Sequence, residues 1–184
     1  MLDHSGSMQR RFKDAKSAAG EVFRRIMKPN DRAFVAPFAF DSRNLSPFVG
    51  DPSLVEAQVN ASPDALGGTA LYDAIVTGLY RFRAVQGRKA MVIITDGEDT
   101  SSRVPYEDML MYARSSRVPL YFIGIGLGFG DLGGTAKMKA LAAETGGVAY
   151  FLRDTKELKA TYAQLEQDLR SQYLLSYHTE STRN

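Results

Sequence analysis

Residues 89–99 read Lys89-Ala-Met-Val-Ile-Ile-Thr-Asp-Gly-Glu-Asp99. The portion over 91–95 is apolar without alternation, which in so short a run fits a strand covered on both faces. It stops at a carboxylate and a glycine, so a polar loop over 96–103 starts directly at the strand's carboxyl end. Downstream, a helix is expected over 105–116 and a second buried strand over 120–125. A helix over 135–145 follows, closed by Gly146-Gly147 as a C-cap, and then a strand over 148–152. A helix over 155–169 and a last strand over 173–177 complete this half.

Upstream, Leu66-Gly67-Gly68-Thr69 is a tight loop leading into a helix over 70–85. Pro52 opens a short helix over 51–59. Strands over 33–40 and 45–49 are expected to pair antiparallel at an edge. Residues 8–27 place Phe12, Ala15, Ala19, Val22, Phe23 and Ile26 on one helical face, and Pro29-Asn30-Asp31 ends that helix. Buried strands alternating with amphipathic helices predict an α/β fold, a doubly wound, Rossmann-like, mostly parallel sheet with helices on both faces. In such sheets ligands bind beyond the carboxyl ends of the strands.

The chain has 184 residues, 44% of them hydrophobic and 24% charged, which fits one globular domain. A single domain over 1–178 with a polar tail over 179–184 is expected. The formal net charge of +2 is too small to argue for nucleic acid or an anionic membrane as partner, and neither is expected. Arg10, Arg11, Lys13, Lys16, Arg24, Arg25 and Lys28 cluster along the first helix, interrupted by Asp14 and Glu21, and read as a solvated face. Without cysteine there is no disulfide framework and no thiolate metal site. No apolar run is long enough to span a bilayer, and no stretch reads as a secretion signal.

Three oxygen-rich segments stand out. The first is Asp3-His4-Ser5-Gly6-Ser7, a D-x-S-x-S just before the first helix. Taken alone, Ser7 is equally an N-cap and Gly6 a turn residue. The second is Thr69 behind Gly67 and Gly68, glycines that let backbone approach closely. The third is Asp96, which directly follows the 91–95 strand. One carboxylate and two hydroxyls at a turn form half a cage for a hard divalent cation, which prefers octahedral oxygen ligation. The other two segments supply a further hydroxyl and a further carboxylate.

This ordered set resembles the metal-ion-dependent adhesion site of the von Willebrand factor type A domain, and the resemblance covers nearly the whole chain. The stretches Leu141-Ala-Ala-Glu-Thr-Gly-Gly-Val-Ala-Tyr150 and Gln172-Tyr-Leu-Leu-Ser-Tyr177 look most like the bacterial subgroup described as acidobacterial type A-related proteins. The resemblance implies a binding module rather than an enzyme. Ser5 and Ser7 would bind Mg²⁺ or Mn²⁺ directly, and Thr69 would do so in a ligand-ready state. Asp3 and Asp96 would act mainly through waters. The remaining metal position would be filled by water or by an Asp or Glu of a partner protein. An envelope or secreted setting is implied by the resemblance only, and a scaffold role inside a larger assembly stays open.

One departure concerns the first strand. Members of that family carry a buried strand immediately before D-x-S-x-S, whereas only Met1 and Leu2 precede Asp3 here. The expectation is a missing or truncated central strand: either the chain is cut from a longer one, or the slot is filled by the 173–177 strand or by a second molecule, in a homo-oligomer or by strand exchange.

Two enzymatic alternatives compete. Gly128-Phe-Gly-Asp-Leu-Gly133 matches G-x-G-x-x-G, with Asp154 about 20 residues on, as a dinucleotide fingerprint wants. It falls late in the chain and in a longer loop than the fingerprint's first strand–helix turn, so a glycine loop is the expectation. A Mg²⁺-dependent hydrolase would need a base beside the cage. His4 is expected to face away and His178 lies in the tail. Asp41, Glu98 and Asp99 read as solvated loop carboxylates, with a secondary cation as the minority reading, and Ser101 and Ser102 as loop polarity.

Overall fold

A computed structural model describes residues 1–41, 45–64, 66–96, 99–126, 132–152 and 157–171. The elements are β1 (Leu2–Asp3), α1 (Phe12–Ile26), β2 (Pro37–Phe38), α2 (Pro52–Asn60), α3 (Leu71–Arg81), β3 (Met91–Thr95), α4 (Tyr106–Ser116), β4 (Leu120–Ile125), α5 (Leu132–Thr145), β5 (Ala149–Leu152) and α6 (Leu158–Arg170). A 3₁₀ turn, Gly6–Met8, precedes α1. The sheet has five strands in the order β2-β1-β3-β4-β5, and every pairing in it is parallel. The order reverses at β1, so the switch point lies between β1 and β3, where Asp3 and Asp96 emerge.

Alternate residues of the strands feed two cores, one on each face. Leu2, Ile94, Tyr121, Ile123 and Leu152 pack with the apolar faces of α1, α2 and α6. Phe38, Ile93, Leu120 and Phe122 pack with α3, α4 and α5. The α1 stripe is as expected, with Phe12, Ala15, Ala19 and Val22 buried. Pro52 stands at the start of α2, and the Asp51 carboxylate caps it by accepting from Ser53 N–H at 2.8 Å.

The edge is less regular than its apolar pattern predicts. Only Pro37–Phe38 joins the parallel ladder, because its partner β1 is itself two residues long; Val35 N–H, on the outer edge, donates to the Ser46 hydroxyl at 2.7 Å. The expected antiparallel pairing survives as one bridge, Ala33 with Val49. The helix expected from residue 8 starts at Phe12, because the 3₁₀ turn takes up the intervening chain. The 173–177 strand lies outside the described residues.

The first strand is short, as expected, but its slot is not vacant. Leu2 N–H donates to Ala36 O at 3.0 Å, and Ile94 N–H donates to Met1 O at 3.0 Å. The chain's own Leu2–Asp3 therefore occupies the place for which the terminal segment or a second molecule was the expected filler. Below it, toward the amino ends of β2 and β3, lies a cavity of about 960 Å³ bordered by Met1, Phe23, Phe34, Phe82 and Val92. Among the described residues no helix is long and apolar enough to cross a membrane.

Candidate metal centre

β1 ends at Asp3, and the chain turns at once. Ser5 N–H donates to Asp3 Oδ1 at 2.8 Å, a local Asx turn that ties the carboxylate to its own loop. Asp3 Oδ2 accepts from the Thr95 hydroxyl at 2.6 Å. The Asp3 and Ser5 side chains are buried, and Ser7 is exposed. The capping alternative for Ser7 falls away: α1 starts at Phe12 with no side-chain cap. The Ser7 hydroxyl instead lies 3.0 Å from that of Ser5. Two hydroxyls thus converge beside a buried carboxylate.

The Thr69 loop is stitched to this turn. Gly6 N–H donates to Gly67 O at 2.8 Å, and Leu66 N–H donates to His4 O at 2.8 Å. Gly67 has φ +83°, the left-handed region that suits glycine, with the Phe40 ring against it. Gly68 is needed for closeness, since a Cβ there would overlap the Ser101 hydroxyl. Thr69 is buried just before α3.

Asp96 is half-buried at the carboxyl end of β3, one residue after the threonine that holds Asp3. The structure thus carries Asp3, Ser5 and Ser7 on one loop, and Thr69 and Asp96 on the two segments beside it. Burial lifts the Asp3 carboxyl to about 6. Hydrogen bonds from Thr95 and Ser5 oppose that rise, and the Asp96 charge adds to it. A carboxyl that burial drives toward protonation, beside a second acid, is suited to a cation.

The donor set is all oxygen and mostly hydroxyl, which fits a hard ion such as Mg²⁺ or Mn²⁺. Among the described residues no group of three or more His, Cys, Asp or Glu is placed to hold a metal. The candidate centre has two carboxylates and three hydroxyls, a different kind of set.

Several supporting residues gave no clear signal in the sequence. Thr95 reads as the end of a strand, yet it is the donor to Asp3. Asp99 and Ser102, expected to be solvated loop polarity, cap α3: Tyr72 N–H donates to Asp99 Oδ1 at 3.2 Å and to Ser102 Oγ at 3.0 Å. Their position in a loop next to a helix start was the available clue. His4 Nδ1 lies 3.3 Å from Asp64 O, a contact across 60 residues of sequence. His178, Glu98, Asp154 and most of the 128–133 loop lie outside the described residues. Gly133 falls inside α5, which starts three residues earlier than expected.

The family model of the von Willebrand factor type A domain matches residues 1–164. No curated protein matches the chain. Among solved structures, a von Willebrand factor type A protein from Catenulispora acidiphila is similar with a TM-score of 0.74 and 22% identity. That alignment covers 90% of this chain and 40% of the other, so the chain spans less than half of that protein's length. An aerotolerance-related membrane protein from Bacteroides fragilis aligns with a TM-score of 0.75 and 22% identity, over 93% of this chain and 96% of its own. Proximal thread matrix protein 1 from the mussel byssus, solved with zinc in its MIDAS motif, aligns with a TM-score of 0.70 and 16% identity. It is covered over 43% of its length, against 90% of this chain. At these identities the likeness is one of fold.

Proposed function

The chain belongs to the von Willebrand factor type A family, and from that premise we propose that it is a metal-dependent protein-binding module. Domains of this family serve in general as interaction modules, and one relative of the same fold was solved with an occupied MIDAS. The ion would be Mg²⁺ or Mn²⁺, held by Ser5, Ser7 and Thr69 directly and by Asp3 and Asp96 largely through water. The observation that carries this reading is the paired Ser5 and Ser7 hydroxyls, 3.0 Å apart, beside a buried Asp3 with both oxygens engaged by protein donors.

Each residue has a separable task. Thr95 and the Ser5 amide orient Asp3, so its charge is fixed without a flexible side chain having to be ordered on binding. The hydroxyls ligate without adding charge, leaving a bound cation electrophilic toward an outside carboxylate. That is the chemistry the ion supplies: a bridge to Asp or Glu of a partner.

The test is selection from a random peptide library displayed on phage, with the chain immobilised in Mg²⁺ or in chelator. Mg²⁺-dependent enrichment of Asp- or Glu-bearing peptides is expected, with loss in the Ser5→Ala/Ser7→Ala variant. Enrichment that ignores the chelator, or that survives in the variant, would overturn the reading.

A further inference from the structure

The loop after β3 does more than carry Asp96. Thr69 N–H donates to Thr100 Oγ1 at 2.9 Å. In return, Thr100 N–H and Ser101 N–H both donate to Thr69 O, at 2.8 and 3.0 Å. Three hydrogen bonds therefore grip both main-chain polar groups of Thr69. Gly68, with no side chain, lets the Ser101 hydroxyl lie where a Cβ would be.

The same loop is anchored a second time. Asp99 and Ser102 take the amides at the start of α3: Ser102 Oγ accepts from Asp73 N–H at 3.1 Å as well as from Tyr72. Asp73 in turn accepts from Val104 N–H at 2.9 Å and from Arg103 N–H at 3.1 Å. Residues 99–104 are thus bonded from both directions to the segment 69–73. Thr69 and the start of α3 are held by one short stretch of chain, about 30 residues further on.

We propose that Thr100 is a positioning residue that fixes the main chain of Thr69, so that the Thr69 hydroxyl is presented to the metal site in one orientation. This rests on the metal-binding reading above and specifies how the site is kept ready. Thr100 acts through Thr69. Its own side-chain oxygen is spent on the Thr69 amide and on the Ser101 hydroxyl, 3.2 Å away. Thr100 is exposed, so a valine there leaves the core untouched.

The experiment measures Mn²⁺ affinity by calorimetry and electron paramagnetic resonance for the unmutated chain, Thr100→Val, Thr100→Ser, Thr69→Val and the Thr69→Val/Thr100→Val pair. Amide exchange at Thr69 is followed in parallel without metal. Thr100→Val should weaken Mn²⁺ binding roughly five- to tenfold, the scale of one hydrogen bond. Thr100→Ser, which keeps the acceptor, should restore it. The double variant should bind no more weakly than Thr69→Val alone, because the effect passes through that residue. Thr69 amide exchange should quicken in Thr100→Val but not in Thr100→Ser.

Unchanged Mn²⁺ affinity in Thr100→Val, or additive losses in the double variant, would overturn the coupling while leaving the metal reading intact. Failure of the unmutated chain to bind Mn²⁺ would overturn the metal reading and the coupling with it. The Thr69 exchange rates would still report whether Thr100 holds the loop. Should Thr100→Val fail to fold, Ser102→Ala, which loosens the anchor from the other end, takes its place with the same expected loss.

Discussion

Asp3 is fully buried, and each of its carboxyl oxygens accepts from a protein donor. Burial outweighs those donors and lifts its carboxyl from 3.8 to about 6, with the Asp96 charge pushing the same way. The metal-free folded chain therefore binds more protons than the unfolded one between these values. The resulting stability is fully present below about 3.8 and is lost as pH rises through about 6. Calorimetric melting of the metal-free chain across this range should show that decline, and Asp3→Asn should flatten it. A slope retained by Asp3→Asn would assign it to another group. Thr95→Val removes the shorter of the two bonds to Asp3 and leaves a buried acceptor short of a partner. It should cost about 1–3 kcal/mol in urea unfolding, whereas a loss no larger than surface substitutions give would mean that Thr95 does not support Asp3.

At the scale of elements, α5 and β4 meet at Gly146-Gly147. Gly146 has φ +79°, and Gly147 N–H donates to Ala142 O at 2.8 Å, closing the helix. A Cβ on Gly147 would run into the Leu120 main chain. Gly147→Ala should therefore cost more than the ~1 kcal/mol typical of point substitutions, read as a lowered urea midpoint, while Gly146→Asn should cost less. The reverse ranking would contradict the packing at this junction. Elements were legible where one signal dominated. The β4 bounds follow directly from an unbroken apolar run, and the 106–116 helix from its start after Pro105. They were misread where tertiary contacts overrode the local pattern. The 33–40 run is apolar throughout, yet β1 offers it only Leu2 and Asp3 as partners, so two residues remain in the ladder. The α1 start moved because Gly6–Met8 forms a 3₁₀ turn that a helical apolar stripe does not reveal. In the candidate site, the five proposed ligands could be picked by motif. Thr95, Asp99, Thr100 and Ser102 could not, because their partners are 27 to 92 residues away in sequence.

Across the whole molecule, stability is expected to be uneven. β3 and β4 pair over five register positions, whereas β1 meets β3 at one and β2 at two. Amide exchange should therefore be slowest at Phe122 and its β3 neighbours and faster at Leu2 and Ile94, whose bonds belong to the short strand. Equal protection across all five strands would contradict this picture. The site straddles the boundary: Asp3 sits on the weakly paired strand, Asp96 on the strongly paired one, and the Thr95–Asp3 bond crosses between them. The most direct test of a metal centre assembled across that boundary is calorimetric titration of this chain with Mg²⁺ and Mn²⁺ beside Asp3→Ala/Asp96→Ala. Saturable one-site binding in the unmutated chain, lost in the double variant, is the predicted result. No binding by the folded chain, or equal binding by both proteins, would contradict it.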